Sequence, residues 1–241
     1  MSTNNVVTFK IDGVEVKASP DMTIIQAADE AGIYIPRLCY LKNLPPGGHC
    51  RVCTVKVNGR PVNACTYPVA EGIIVENNTE ELNNFRRNVI EMLFVEGNHF
   101  CPSCEASGRC ELQALAYRLG LLAPQMPYLN PQRELDATHP DVYLDRNRCV
   151  LCGRCIRASI YLDKKNVFGF ENRGIKMRIS PNSNDGLKDT NLTKDDEAMK
   201  VCPTGSLVVK RQAYLTPVGK RPYDKEPIGS DIEKKKVSNL K

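Results

Sequence analysis

The sequence predicts an α+β chain of small modules, and three observations carry that reading. Short strand-like segments flank Asp12-Gly13 and Asn58-Gly59, dipeptides that favour the turn of a β-hairpin. Apolar residues recur at helical spacing over about residues 23–31 and 80–95. The 11 cysteines fall into three groups: Cys39, Cys50, Cys53 and Cys65; Cys101, Cys104 and Cys110; Cys149, Cys152, Cys155 and Cys202. The expected divisions are 1–78, 79–120, a connector over 121–145, 146–215, and a charged tail over 216–241.

In the first module, Val6 to Ile11 and Val14 to Ala18 form the first hairpin, and a helix follows from about Thr23 to Ala31. Ile24, Ile25, Ala28 and Ala31 share one side of it, and Gly32 stands where a helix stops. Pro45, Pro46, Gly47 and Gly48 predict a loop, with small residues beside Cys50 letting backbone amides approach sulfur. Thr54 to Val57 and Arg60 to Asn63 form the second hairpin.

The second module opens with a helix from about Glu80 to Val95, with Leu82, Phe85, Val89, Met92 and Leu93 as its apolar stripe. Asn78 and Glu81 are spaced as a capping-box variant, and Gly97 ends the helix before His99. Pro124, Pro127, Pro131 and Pro140 mark an extended connector between Gly120 and Arg148. Later, Gly169 to Ser180 has strand-like pieces, and Lys194 to Lys200 suits a short helix leading into Cys202. After Pro217 the chain is highly charged, with Lys234-Lys235-Lys236. A solvated end is the simpler expectation there, and an arm on a partner the other.

A chain of 241 residues is long enough for a real core. Its hydrophobic fraction of 41% includes the cysteines, so the remaining apolar content is low and something else must hold the fold. No apolar run is long enough to span a membrane, and Met1-Ser2-Thr3-Asn4-Asn5 lacks the basic and apolar regions of a signal peptide. A cytoplasmic location follows as the expectation. An odd cysteine count in a reducing compartment points to metal binding.

The third cysteine group is the most informative. Two-cluster bacterial ferredoxins use C-x2-C-x2-C-x3-C-P runs whose fourth cysteine serves the other cluster. Cys149, Cys152 and Cys155 keep that spacing, Ser159 occupies the fourth position, and a Cys202-Pro203 pair lies downstream. This is one complete ligand set for a 4Fe-4S cluster, in a ferredoxin-like module reduced to a single centre. The middle group has three cysteines, and His99 two residues before Cys101 supplies a fourth donor for a second 4Fe-4S cluster. A neutral imidazole there makes the site less negative and favours its reduced form. The simpler alternative leaves His99 in a loop and completes the site with water or an external ligand. His49 and His139 read as structural or solvated.

The first group, C-x10-C-x2-C-x11-C among hairpins, resembles β-grasp 2Fe-2S ferredoxins, in the version found in complex I and its hydrogenase relatives. Glu96-Gly97-Asn98-His99 before Cys101-Pro102-Ser103-Cys104, with the three groups in this order, resembles the iron-sulfur (gamma) subunit of the diaphorase part of NAD-reducing soluble nickel-iron hydrogenases. The resemblance covers about residues 1–215. In the complex I subunit the histidine motif usually reads H-x3-C and a large domain follows, whereas here it reads H-x-C and the sequence ends at Lys241. Some hydrogenase relatives carry eight cysteines in the last module, and this chain carries four.

The resemblance implies a non-catalytic electron wire within an oxidoreductase. One 2Fe-2S and two 4Fe-4S clusters would relay electrons between a flavin/NAD-binding diaphorase subunit and hydrogenase small and large subunits, with FMN, NAD and the nickel-iron centre on those partners. No G-x-G-x-x-G, P-loop or G-x-S-x-G motif is present, consistent with that division. The formal charge of +5 is offset by anionic clusters, which removes the case for nucleic acid. The rivals are an NAD-linked formate dehydrogenase or complex I-like electron-transfer subunit and, more remotely, a structural zinc protein, for which the third group is a poor match.

Overall fold

A computed structural model describes residues 6–238, and the side chains up to Lys234. Strands β1 (Val7–Ile11) and β2 (Val14–Ala18) pair antiparallel through Asp12 and Gly13, whose φ of 49° and 79° give the left-handed turn that matches strand twist. Helix α1 (Ile24–Glu30) follows, with the Gln26 side chain accepting a bond from the Thr23 amide at 2.8 Å. Strands β3 (Thr54–Val57) and β4 (Arg60–Asn63) form the second hairpin around Asn58 and Gly59.

A strand that sequence patterning missed joins these hairpins. β5 (Ile74–Glu76) pairs parallel with β1 and antiparallel with β3, giving the order β2-β1-β5-β3-β4. It has three residues, of which Val75 alone is buried, so it offers no period to detect. Phe9, Ile11, Val55 and Val75 from the sheet pack with Ile24, Ile25 and Ala28 of α1 in the first core.

Helix α2 (Glu80–Val95) has the expected bounds but a different cap, and its buried face is only partly the expected stripe: Leu82 is buried and Val89 and Leu93 pack on the core, but Phe85 and Met92 do not. Thr79 is the cap, its hydroxyl accepting from the Leu82 amide at 3.3 Å. Asn78 instead accepts from the Asn83 side chain at 2.8 Å, and Glu81 pairs with Lys56 on β3. Phe85 and Met92 are 41% and 47% exposed, while Leu82, Arg86, Ile90 and Val95 are buried. Charged Arg86 disguised the true face. Its guanidinium donates to the carbonyls of Val52 (3.2 Å), Thr54 (2.8 Å) and Asn77 (2.8 Å), clamping α2 to the first module. Helix α3 (Glu111–Arg118) packs beside α2, and Leu112 and Leu115 join Leu38, Val52 and Ile90 in the second core.

Residues 121–134 carry no regular element, but the rest of the expected connector does. β6 (Leu135–Asp136) and β7 (Val142–Asp145) form a sheet with the distant β10 (Leu207–Val209), in the order β10-β7-β6. Between them lie α4 (Arg154–Tyr161), the hairpin β8 (Phe168–Glu171) with β9 (Arg178–Pro181), and α5 (Glu197–Lys200). α4 escaped detection because Arg154 and Ser159 belong to its buried face. Phe168, Ile179, Leu187 and Ala198 fill the third core.

The tail corrects the expectation of a solvated end. The Tyr223 amide donates to the Gly108 carbonyl at 3.0 Å, and Ile228 is buried in the second core. Gly229 lies so close over the Tyr34 ring that a Cβ there would come within 2.3 Å of it. Helix α6 (Ser230–Ser238) follows, and its Glu233 pairs with Arg118. Lys234 pairs with Glu226; the side chains of Lys235 and Lys236, and all of Met1 to Asn5, lie outside the described residues. No helix among the described residues is long and apolar enough to cross a membrane.

Candidate metal centres

The β3–β4 hairpin and the loop between α1 and β3 bring Cys39, Cys50, Cys53 and Cys65 together. Cys53 immediately precedes β3 and Cys65 lies just beyond β4. Cys39 lies in the loop after α1, which Arg37 braces by bonding both Asp29 oxygens at 2.6 Å and the Ile35 carbonyl at 2.8 Å. The Cys39 amide donates to Cys50 Sγ at 3.3 Å. The Cys39 thiol neighbours those of Cys50 and Cys65, and the Cys53 thiol that of Cys65. This proximity holds Cys39 and Cys53 below the ordinary thiol range and pushes their partners up. Four neighbouring thiols suit a binuclear centre in which each iron takes two.

The Cys39 amide reaches the Cys50 sulfur, and Gly47 makes room for the His49 ring, whose Cε1 would lie 2.5 Å from a Cβ there. Arg51, between the cysteines, holds a left-handed φ of 63°, a strained conformation characteristic of functional loops.

His99, Cys101, Cys104 and Cys110 line a single small gap together with Phe94, Arg148 and Gly205. The His99 Nε2 is buried without a hydrogen-bond partner. Burial, then the nearby Arg133 and Arg148 charges, push this imidazole down to about 4, so it is neutral and able to donate a lone pair. Phe94 meets its ring edge-on at 5.4 Å. Gly97 serves close approach: a Cβ there would lie 2.6 Å from Nε2. Gly205 likewise leaves space for Cys104, whose Sγ would be 2.9 Å from a Cβ. Cys110 caps α3, where burial pushes its thiol up to about 12 against the pull of the Leu112 and Gln113 amides.

Cys149, Cys152, Cys155 and Cys202 line another small gap, walled by Leu144, Ile179 and Leu207. Burial pushes Cys149 up to about 11 and Cys152 to about 12, and raises Cys155 well above the ordinary thiol range. Thiolates in so dry a site require cationic compensation, which iron supplies. Leu151 holds a φ of 51°, unusual for a bulky residue, and turns the loop between Cys149 and Cys152. Ser159, in the position of a ferredoxin's fourth cysteine, is a core residue whose hydroxyl accepts from the Val167 amide at 2.7 Å. His139 is also buried, bonding the Leu192 carbonyl at 3.0 Å.

The third site lies against both others. The His49 Nε2 meets the Cys152 carbonyl at 2.9 Å, and the Glu111 amide donates to the Pro203 carbonyl at 2.8 Å. Arg148, beside Cys149, pairs with Glu105, beside Cys104. Arg154 joins all three modules, donating to both Glu111 oxygens at 2.6 and 2.7 Å and to the Tyr40 carbonyl at 2.9 Å. Sequence reasoning missed these arginines because nothing in their spacing reveals a contact between modules. Among the described residues, no three His, Cys, Asp or Glu side chains converge as ligands of a single metal ion.

Comparison with known proteins gives the same three parts. Residues 4–80 match a 2Fe-2S iron-sulfur cluster binding domain, 86–124 the NADH-ubiquinone oxidoreductase-G iron-sulfur binding region, and 142–209 a 4Fe-4S single cluster domain. The chain is 39% identical over 226 residues to the NAD-reducing hydrogenase HoxS subunit gamma of Cupriavidus necator, covering 92% of this chain and 95% of that protein. It belongs to the gamma-subunit family of NAD-reducing hydrogenases. Outside this family, the NADPH-Fe(3+) oxidoreductase subunit alpha of Geobacter sulfurreducens is 34% identical over 85% of this chain, which spans 24% of that protein. Among gamma-like folds of known structure, a chain of an NAD+-reducing [NiFe]-hydrogenase in the H2-reduced state superposes with a TM-score of 0.91 at 43% identity. That match covers 95% of this chain and 98% of the other.

Proposed function

We propose that this gamma-family chain is the electron-transfer subunit of a cytoplasmic NAD-reducing hydrogenase. It relays electrons between a flavin/NAD-binding diaphorase subunit carrying FMN and hydrogenase small and large subunits carrying the nickel-iron centre. The observation that carries this reading is the gathering of all eleven cysteines and His99 into three separate sets, one of four neighbouring thiols and two that each line a single small gap.

In this reading, Cys39, Cys50, Cys53 and Cys65 hold a 2Fe-2S cluster in a β-grasp module over 1–78. His99, Cys101, Cys104 and Cys110 hold a 4Fe-4S cluster in the helical module over 79–120. Cys149, Cys152, Cys155 and Cys202 hold another in the ferredoxin-like module over 146–215, whose sheet borrows β6 and β7 from the preceding stretch. Such clusters each exchange one electron, so a series of them links two-electron flavin chemistry to hydrogen splitting on another subunit. The protein's own part is to fix donor sets, keep water from them and set their potentials through charge and amide hydrogen bonds. Contacts on both sides of the third site support its place in the middle of the path.

The test is to isolate the intact complex without oxygen through a tag on this chain, then measure metals, acid-labile sulfide, subunits and paramagnetic signals. Iron with stoichiometric nickel, a flavin subunit and one binuclear plus two cubane signals is expected. Molybdenum or tungsten in place of nickel would assign the complex to formate oxidation. Zinc without iron would overturn the electron-wire reading.

A further inference from the structure

Two arginines one helical turn apart on α4 face the first module in opposite electrostatic situations. Arg154 is neutralised by the carboxylate of Glu111. Arg157 donates through Nη2 to the carbonyls of Cys39 at 2.6 Å and Cys152 at 3.1 Å, through Nη1 to that of Pro45 at 2.6 Å, and through Nε to that of Gly153 at 3.1 Å. None of these four acceptors is a carboxylate. One nitrogen therefore ties the backbone of a first-site cysteine to that of a third-site cysteine, and among the described residues the guanidinium's hydrogen-bond acceptors are peptide carbonyls. His49 fastens the same junction, through the same Cys152 carbonyl.

We propose that Arg157 is a positioning residue for electron transfer between the first and third centres, holding both ligand loops at a fixed separation and placing positive charge beside both. The inference rests on the ligand sets proposed above. One electron leaves one centre, which is oxidised by one unit, and enters the other, which is reduced by one unit; no bond forms or breaks. Positive charge near both ends favours both reduced forms, so neither end becomes an electrostatic trap relative to the other. A planar guanidinium is required because four carbonyls must be met from fixed directions, which the compact ammonium of lysine cannot do.

The experiment uses Arg157→Gln and Arg157→Lys in the whole complex, with iron content, cluster-resolved redox titration by electron paramagnetic resonance, and freeze-quenched reduction from NADH or hydrogen. Arg157→Gln removes the charge, and the binuclear and third-site potentials move negative while the His99 site stays in place. Arg157→Lys retains the charge, so those potentials hold while electron transfer between the two sites slows several-fold. Unmoved flanking potentials in a fully loaded Gln variant, an equal shift at all three sites, or wild-type transfer in the Lys variant overturns the role of Arg157. Absence of the binuclear or third-site signal from the parent complex overturns the ligand reading itself, a result separable from any behaviour of the variants.

Discussion

The first site and the other two solve the same problem by different means. In the first, four neighbouring thiols are held by the β3–β4 hairpin, whose turn is set by Asn58-Gly59, and by the loop that follows α1. In the second and third, the donors stand back around small gaps, and their surroundings come from several modules. Gly205 of the third module borders Cys104 of the second, and the Pro203 carbonyl receives the Glu111 amide. A site closed by local turns depends on its own module, whereas a site walled by neighbours depends on how modules dock.

Breaking that docking should separate the two kinds most sharply. Arg154→Met removes a cation whose side chain is 2% exposed and leaves Glu111 and the Tyr40 carbonyl without their partner. Removing one member of a buried pair costs about 3–5 kcal/mol. The expected result is a large fall in denaturation midpoint and in 4Fe-4S content, with the binuclear signal retained. Equal loss of all three signals would show that the first site depends on docking as much as the others.

A narrower cut tests the independence of the centres. Cys149→Ser should abolish or convert the third centre while the 2Fe-2S spectrum remains, read by electron paramagnetic resonance on the reduced complex. Loss of both together would contradict a self-contained first module. The second site can be perturbed without touching a proposed ligand. Gly205→Ala places a Cβ 2.9 Å from Cys104 Sγ and 3.2 Å from Ala106 Cβ. Overpacking of this kind costs about 1–3 kcal/mol. His99-site occupancy should fall, although the substituted residue belongs to the third module, and the binuclear site should be unaffected. Unchanged occupancy would mean that Cys104 has room to move.

The same contrast explains what was legible in the sequence. Local signals were read correctly: both hairpins, α1 and the bounds of α2. β5 was invisible because its partners β1 and β3 are far away in sequence, and its own pattern is one buried residue between exposed ones. β7 was read as connector because its partner β10 lies some sixty residues downstream. Arg86 and Arg154 were missed for a different reason. A buried charge reads as a surface residue until the carbonyls and carboxylate that receive it are seen. The tail was misjudged in the same way, since charge over 216–241 hid Ile228 and Gly229, the residues that dock it.

The smallest effect expected is at the cap of α2, and it separates stability from tuning. Thr79 satisfies the Leu82 amide, so Thr79→Ala should lower stability by about 1 kcal/mol in chemical denaturation. Arg86, farther along the helix, still clamps α2 to the Val52, Thr54 and Asn77 carbonyls. The other end of the helix, where Gly97 gives His99 its space, lies sixteen residues and more than four turns away. The His99-site potential should therefore stay at its wild-type value while stability falls. A shift in that potential would mean that strain at the cap reaches the metal site through α2, making the helix a mechanical link between the first module and the second centre.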